Sequence, residues 1–325
     1  MSNKVQIANI LLTRRCNLCC DHCMIVKDIP NVPQYPTMEY YQEHELDSSE
    51  WIDIISRLKQ NNPNIFLIFR GGEPFLYNGF FEILNFCHDN NILYRVASNN
   101  SIDIQSKIIE VYKAVGSFKG FISSVDPIVP TKNYEIKKTN ISKLERLVSI
   151  KNDGISDVVV AEIAVDKLNI QYLYNTVKQL SLRNIYSLIA PIDQQKSKFY
   201  DFSSIHDCDK LLPKDDVTKS VFEQIKYDKH LLIHRPNIIE VMYNDLPCDM
   251  FCSIHENIHN ITIDVDSSIR LCLRVRGLKT STKKFIDYFD TNGNIDEVLI
   301  SNMASDYRNN CRGCMWTCMY DSNYH

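Results

Sequence analysis

The sequence predicts an α/β fold, with β/α units around a mostly parallel sheet and a small cysteine-rich unit after them. Three observations carry this. Short runs rich in β-branched residues alternate with longer stretches of helical period as far as about residue 195. Beyond that point the alternation stops. The twelve cysteines are clumped, four at positions 16 to 23 and six between 248 and 318, with only Cys87 and Cys208 elsewhere. With 325 residues and 44% hydrophobic content, the chain is long and apolar enough to bury a core.

Six strands are expected in order: Gln6 to Thr13, Ile65 to Phe69, Tyr94 to Ser98, Gly120 to Val125, Asp157 to Val165 and Asn184 to Ala190. The helices between them follow from spacing. Trp51, Ile54, Ile55 and Leu58 share one face, as do Ile104, Ile108, Val111 and Val115, and then Ile141, Leu144 and Val148. Asp47, followed three residues later by Glu50, predicts a capping box at the start of the first of these helices. A polar stretch runs through Lys214, and a helix is expected from about Asp215 to Tyr227. His259 to Val265 and Ile269 to Val275 alternate as a hairpin whose turn is Asp266-Ser267-Ser268. The reading divides the chain at 1–200, a connecting segment at 201–247 and a cysteine-rich unit at 248–325.

Composition excludes several classes. Thirty-six lysines and arginines against 40 aspartates and glutamates give a net charge of −4, so no broad basic surface exists to bind nucleic acid phosphates. No run of 18 apolar residues occurs, and the N-terminus lacks the apolar core and cleavage site of a signal peptide. A cytoplasmic protein is expected, and there its cysteines point to metal ligation before disulfides.

The segment from Thr13 to Cys23 places Cys16, Cys20 and Cys23 in the spacing C-x3-C-x2-C directly after the first strand. A structural zinc site closes with four ligands, whereas three thiolates suit an iron-sulfur cubane with one open iron. Counting alone leaves Cys19 as an alternative to Cys20. This arrangement resembles the signature of radical S-adenosylmethionine (SAM) enzymes. The resemblance implies a partial (β/α)6 TIM barrel. It also implies a [4Fe-4S] cluster on Cys16, Cys20 and Cys23, with SAM chelating the fourth iron. His22 stands where many members carry an aromatic residue. A second motif, Arg70-Gly71-Gly72-Glu73-Pro74, follows the second strand. Glycines permit close backbone approach, and a carboxylate can accept from an ammonium group. In the family this motif holds the methionine end of SAM, which assigns Gly71, Gly72 and Glu73. Ser98 and Asn99 end the third strand, Ser124 and Asp126 the fourth, and Glu162 lies in the fifth. All sit near C-terminal strand ends, where β/α barrels place their chemistry, and the resemblance makes them further SAM contacts.

The C-terminal order of cysteine, hairpin, cysteine, helix and C-x2-C resembles the twitch and SPASM domains that hold auxiliary clusters in many such enzymes. On twitch spacing, one auxiliary [4Fe-4S] cluster would sit on Cys252, Cys272, Cys311 and Cys314, with Cys248 and Cys318 as alternates. A glycine usual in that hairpin is replaced by Ser267. A structural zinc site is the other reading of these four thiols.

What the resemblance implies for function is reductive cleavage of SAM to a 5′-deoxyadenosyl radical that abstracts a substrate hydrogen, with a flavodoxin or ferredoxin as electron donor. The preferred substrate is a ribosomally synthesised peptide, matured by cross-linking, dehydrogenation or epimerisation. For epimerisation Cys208 is the candidate hydrogen donor. Because Cys16 falls so early, no leader-binding domain is expected ahead of it. One alternative is a dehydrogenase of a small polar metabolite such as an aminocyclitol, and another is a non-catalytic iron-sulfur or zinc protein.

Overall fold

The computed structural model describes residues 5–20, 23, 25, 37–127, 138–191, 196–197, 200–201, 215–227, 232, 260–271, 284–288, 296, 302 and 305. Six parallel strands appear in chain order: β1 (Ile7–Thr13), β2 (Phe66–Gly71), β3 (Leu93–Ser98), β4 (Phe121–Val125), β5 (Val159–Val165) and β6 (Tyr186–Pro191). Each pairs in parallel with the next, as expected of successive β/α units wound in one direction. Between them lie α1 (Met38–Glu43), α2 (Ser48–Asn61), α3 (Phe80–Asp89), α4 (Gln105–Val115), α5 (Lys138–Asn152) and α6 (Leu173–Ser181). A two-residue hairpin follows, β7 (Lys196–Ser197) with β8 (Tyr200–Asp201), and then α7 (Asp216–Tyr227).

The helix faces read from spacing are the buried ones. Trp51, Ile54, Ile55 and Leu58 of α2 are buried, as are Ile104 and Ile108 at α4 and Leu144 in α5. Val111, Val115 and Val148 are partly buried against the same core, and the side chain of Ile141 lies outside the described residues. The Asp47–Glu50 capping box forms in both directions, its Asp47 carboxylate accepting from the Glu50 N–H at 2.9 Å. Strand ends shift by a residue or two. Asn184, expected in the sixth strand, instead takes a positive φ of 62° in the turn before it. Asparagine tolerates that left-handed conformation and a β-branched residue does not. An Asn184→Val variant is therefore expected to lose about 1–2 kcal/mol in urea unfolding, and Asn184→Gly to lose none.

The hairpin forms with its turn at Asp266 to Ser268 as expected, and its first strand has a second partner: β9 (Asn260–Ile263) pairs in parallel with β1, from Ile7↔Asn260 to Ile10↔Ile263. Its partner β10 (Ile269–Arg270) closes antiparallel on the outside. The eight-stranded order is β10-β9-β1-β2-β3-β4-β5-β6. Pairing satisfies the backbone groups that β1 would otherwise present at an open edge, while Ile261 and Ile263 enter the main core. Ser267 itself adopts φ 65°, and the Asp266 carboxylate ties the turn by accepting from the Ser268 N–H (3.1 Å) and Oγ (2.6 Å). These bonds hold the turn without a glycine.

The two faces of the sheet bury different sets. Ile7, Ile68, Ile122, Val160 and Leu188 pack together on one face as a small apolar layer. The larger core lies between the other face and the helices. No helix among the described residues is long and apolar enough to cross a membrane.

Candidate functional site

The C-terminal ends of β1, β2 and β3 bring the two sequence motifs into direct contact. After Thr13 the chain leaves β1 and runs into the cysteine loop, while β2 ends in Gly71, Gly72 and Glu73. The Gly72 N–H donates to the Thr13 carbonyl at 2.7 Å, and the Glu73 N–H to the Arg15 carbonyl at 2.8 Å. This contact explains both glycines. A Cβ on Gly71, where φ is 147°, would lie 2.3 Å from the Thr13 oxygen, and one on Gly72 would lie 2.2 Å from the Arg15 oxygen. The close approach they permit is to the cysteine loop's own backbone.

Glu73 is fully buried. Its carboxylate accepts from Ser98 Oγ (3.0 and 3.1 Å), the Asn99 N–H (2.8 Å) and the Phe75 N–H (3.3 Å). Burial raises its pKa to about 7 against these lowering hydrogen bonds. Ser98 and Asn99, both expected at the site, thus hold the glutamate from β3.

Asn99 also reaches the cysteines. Its Nδ2 donates to Asn17 Oδ1 at 2.8 Å and approaches Cys16 Sγ at 3.7 Å, while Asn17 Nδ2 donates to Ser101 Oγ at 2.8 Å. Cys16 Sγ accepts from the Leu18 N–H (3.4 Å), and Cys23 Sγ from the Ile25 N–H (3.5 Å). Cys16, Cys20 and Cys23 are partly buried, and Cys19 is exposed. Burial raises the Cys16 and Cys20 pKa values, and Cys23 raises both further. Cys16 and Cys20, whose ionisation is disfavoured there, are donors that a bound cation would relieve. Among the described residues no three His, Cys, Asp or Glu side chains close around a point for one ion.

The other candidates line the same end of the sheet. Ser124 of β4 and Glu162 of β5 are register partners. Glu162 faces Arg70 of β2 at 3.9 Å, although β3 and β4 separate those strands. Only a sheet curled toward a barrel lets these side chains meet across its hollow. Arg70 Nε is buried with no hydrogen-bond partner among the described residues. Asp126 is exposed at the rim and pairs with Lys143 of α5 at 3.7 Å; both sense Cys20 electrostatically. His22, Cys208, Cys248, Cys252, Cys272, Cys311, Cys314 and Cys318 lie outside the described residues.

Sequence reasoning missed Asn17 and Ser101, whose only signal was their closeness to motif residues. It also missed a buried ion cluster. Arg14, two residues before Cys16, forms a two-point pair with Asp264, Nε to Oδ1 at 3.2 Å and Nη2 to Oδ2 at 2.6 Å. Arg270 reaches the same Oδ2 at 2.8 Å. Burial would raise the Asp264 pKa, but the guanidinium groups of Arg14 and Arg270 outweigh it and hold it at about 2.

No family model matches the chain. A curated relative, the S-adenosylmethionine-dependent nucleotide dehydratase of Selenomonas ruminantium, is 25% identical over 121 residues, covering 37% of this chain and 39% of the relative. The chain thus spans about two fifths of that relative's length. Among solved structures, Streptococcus suis SuiB bound to its precursor peptide SuiA superposes with a TM-score of 0.59 at 14% identity, covering 92% of this chain and 65% of SuiB. Native anSMEcpe with bound AdoMet and the Cp18Cys peptide gives 0.56 at 14% identity, covering 96% and 88%. With its curled parallel sheet and the cysteine loop at its C-terminal rim, the chain has the fold of these solved structures.

Proposed function

We propose that this chain is a radical SAM enzyme that modifies a peptide. The observation that carries the reading is the hydrogen-bonded junction of the cysteine loop with Gly72 and Glu73. It brings the loop that carries Cys16 against a buried carboxylate, which supports binding of a sulfonium amino acid at a cluster on that loop. Cys16, Cys20 and Cys23 would hold the [4Fe-4S] cluster. Glu73 would accept from the SAM ammonium, kept in place by Ser98 and Asn99, with Gly71 and Gly72 seating the turn. Ser124, Asp126 and Glu162 would line the nucleoside and substrate side. A cluster held there would supply the electron for reductive cleavage of SAM to the 5′-deoxyadenosyl radical, which would take a substrate hydrogen. The protein's part is to orient the two ligands and exclude water. A low-potential donor such as flavodoxin or ferredoxin would feed the electron.

Peptide substrates are supported by SuiB and anSMEcpe, whose solved structures hold peptides. The nucleotide dehydratase favours a second reading, a small polar metabolite as substrate. The C-terminal cysteines Cys252, Cys272, Cys311 and Cys314 would carry the auxiliary cluster. The test is anaerobic reconstitution with iron and sulfide, then dithionite and SAM. Formation of 5′-deoxyadenosine is expected. Its absence above the level of a Cys16→Ala/Cys20→Ala/Cys23→Ala control would refute the enzyme reading and favour a non-catalytic metal protein.

Glu73 gives a pH signature. With a pKa of about 7 in the ligand-free protein, it must lose a proton to accept from the SAM ammonium. SAM affinity should fall about tenfold per pH unit below 7 and level off above 8. Stability runs the other way. The raised pKa means the folded state binds more protons than the unfolded between about pH 4.5 and 7, so stability drops as pH rises through that window and is lowest above it. Glu73→Gln should therefore gain up to about 3 kcal/mol at pH 8 in urea unfolding. The same variant should bind SAM at least about tenfold more weakly and lose the pH slope, because an amide oxygen carries no charge for the ammonium. A Glu73→Gln affinity equal to wild type would remove Glu73 from the SAM site.

A further inference from the structure

We propose that the buried cluster of Arg14, Asp264 and Arg270 is a positioning device for the cysteine loop, through which the hairpin β9–β10 sets where Cys16, Cys20 and Cys23 stand. The inference rests on the reading of that loop as the cluster site.

One guanidinium holds both ends of the loop. Arg14 precedes Cys16, and its Nε and Nη2 edge is fixed on the Asp264 carboxylate. Its remaining nitrogen, Nη1, donates to the carbonyl of Ile25, two residues after Cys23, at 2.9 Å. The side chain is fixed from other directions too. Its guanidinium carbon lies 3.7 Å from the centre of the Tyr41 ring, and the Tyr41 hydroxyl accepts from Arg270 Nη2 at 2.6 Å. Asp264 stands at the end of β9, its Oδ1 also accepting from the Val265 N–H at 2.9 Å, so its place is set by the β1–β9 pairing. The chain of contacts therefore runs from the sheet to Asp264, to Arg14, to the backbone on both sides of the three thiols.

Stability alone does not account for such a cluster. Buried ion pairs are often no more stabilising than apolar residues of the same volume. An apolar trio could fill the space but could not bond the Ile25 carbonyl. Lysine could keep the charge but not the planar three-point grip. Groups that orient metal ligands from behind commonly change metal affinity 10- to 100-fold when altered.

The test compares wild type, Arg14→Lys, Asp264→Asn and Cys16→Ala. In iron-free protein, amide hydrogen exchange over residues 15–25 is expected to quicken about tenfold or more in Arg14→Lys, while α2 to α6 keep wild-type protection. After anaerobic reconstitution, the same variant should retain less iron at this site and bind SAM about 10- to 100-fold more weakly, with an altered electron paramagnetic resonance signal. If Asp264→Asn fails to fold, Arg14→Lys decides, because it leaves no buried carboxylate unpaired. Wild-type exchange over residues 15–25 in Arg14→Lys would overturn the proposal. So would faster exchange with unchanged iron content and SAM affinity. If wild type takes up no iron on this loop, the cluster reading fails, and the exchange data show separately whether the grip exists.

Discussion

Replacing Cys16, Cys20 and Cys23 together by alanine is expected to remove about four iron per chain from a total of about eight, and to bring 5′-deoxyadenosine formation to background. A cubane held on three irons needs all three half-buried thiols as ligands, so loss of any one leaves an incomplete ligand set. Each single variant should therefore lose SAM cleavage almost completely. Cys19→Ala should retain both iron and activity, because Cys19 is exposed. Iron analysis and quantified 5′-deoxyadenosine on the four single variants check this. Loss in Cys19→Ala with activity kept in Cys20→Ala would reassign the ligands. A total near four iron with one zinc would instead assign zinc to the C-terminal cysteines.

Gly72→Ala is the second large effect. The added methyl would meet three backbone atoms: the Arg15 oxygen at 2.2 Å, the Arg15 carbonyl carbon at 2.6 Å and the Arg14 carbonyl carbon at 2.9 Å. No flexible side-chain end is available to give way, so either β2 or the cysteine loop must shift. The expected loss is about 3 kcal/mol or more in urea unfolding, at the upper end for one overpacked methyl. The loop is the part that can move, since the strands are paired on both sides. Iron uptake should fall with stability even though no ligand is altered. Gly79→Ala is the control. Its Cβ would meet the Ser48 Cβ at 2.6 Å and the Tyr77 ring at 3.0 Å, a clash against the start of α2 and not the cysteine loop, so stability should fall while iron uptake stays at the wild-type level. A Gly72→Ala protein with wild-type stability and iron would mean that the junction is looser than its distances state.

Much of the fold is legible in the sequence, for physical reasons. The six strands and the buried helix faces come from apolar periodicity, which burial on both sides of a parallel sheet enforces. The capping box is a local pattern that the chain satisfies locally. What pattern cannot reveal is the partner of a strand that lies far along the chain. Asn260 to Ile263 reads as half of a hairpin, and nothing near it in sequence says that its other edge pairs with β1, about 250 residues earlier. The same distance hides Asp264 as the partner of Arg14.

The site divides in the same way. The cysteine spacing and the G-G-E-P turn are short-range motifs and stand out. Their mutual contact is long-range, and it changes what the glycines are seen to do. From sequence they suggest close approach to a ligand; in the structure they make room for Thr13 and Arg15. Ser98 and Asn99 are legible as strand-end polar residues, but that they grip Glu73 depends on the β2–β3 register.

The central claim is that three thiolates on this loop leave one iron corner free for SAM. The most direct measurement is electron paramagnetic resonance of the anaerobically reconstituted, dithionite-reduced protein, with and without SAM, in wild type and in Glu73→Gln. Wild type should show a cubane signal whose g-values shift when SAM is added, with a shift that needs far more SAM in the variant. A cubane signal in wild type that is indifferent to saturating SAM would contradict the account.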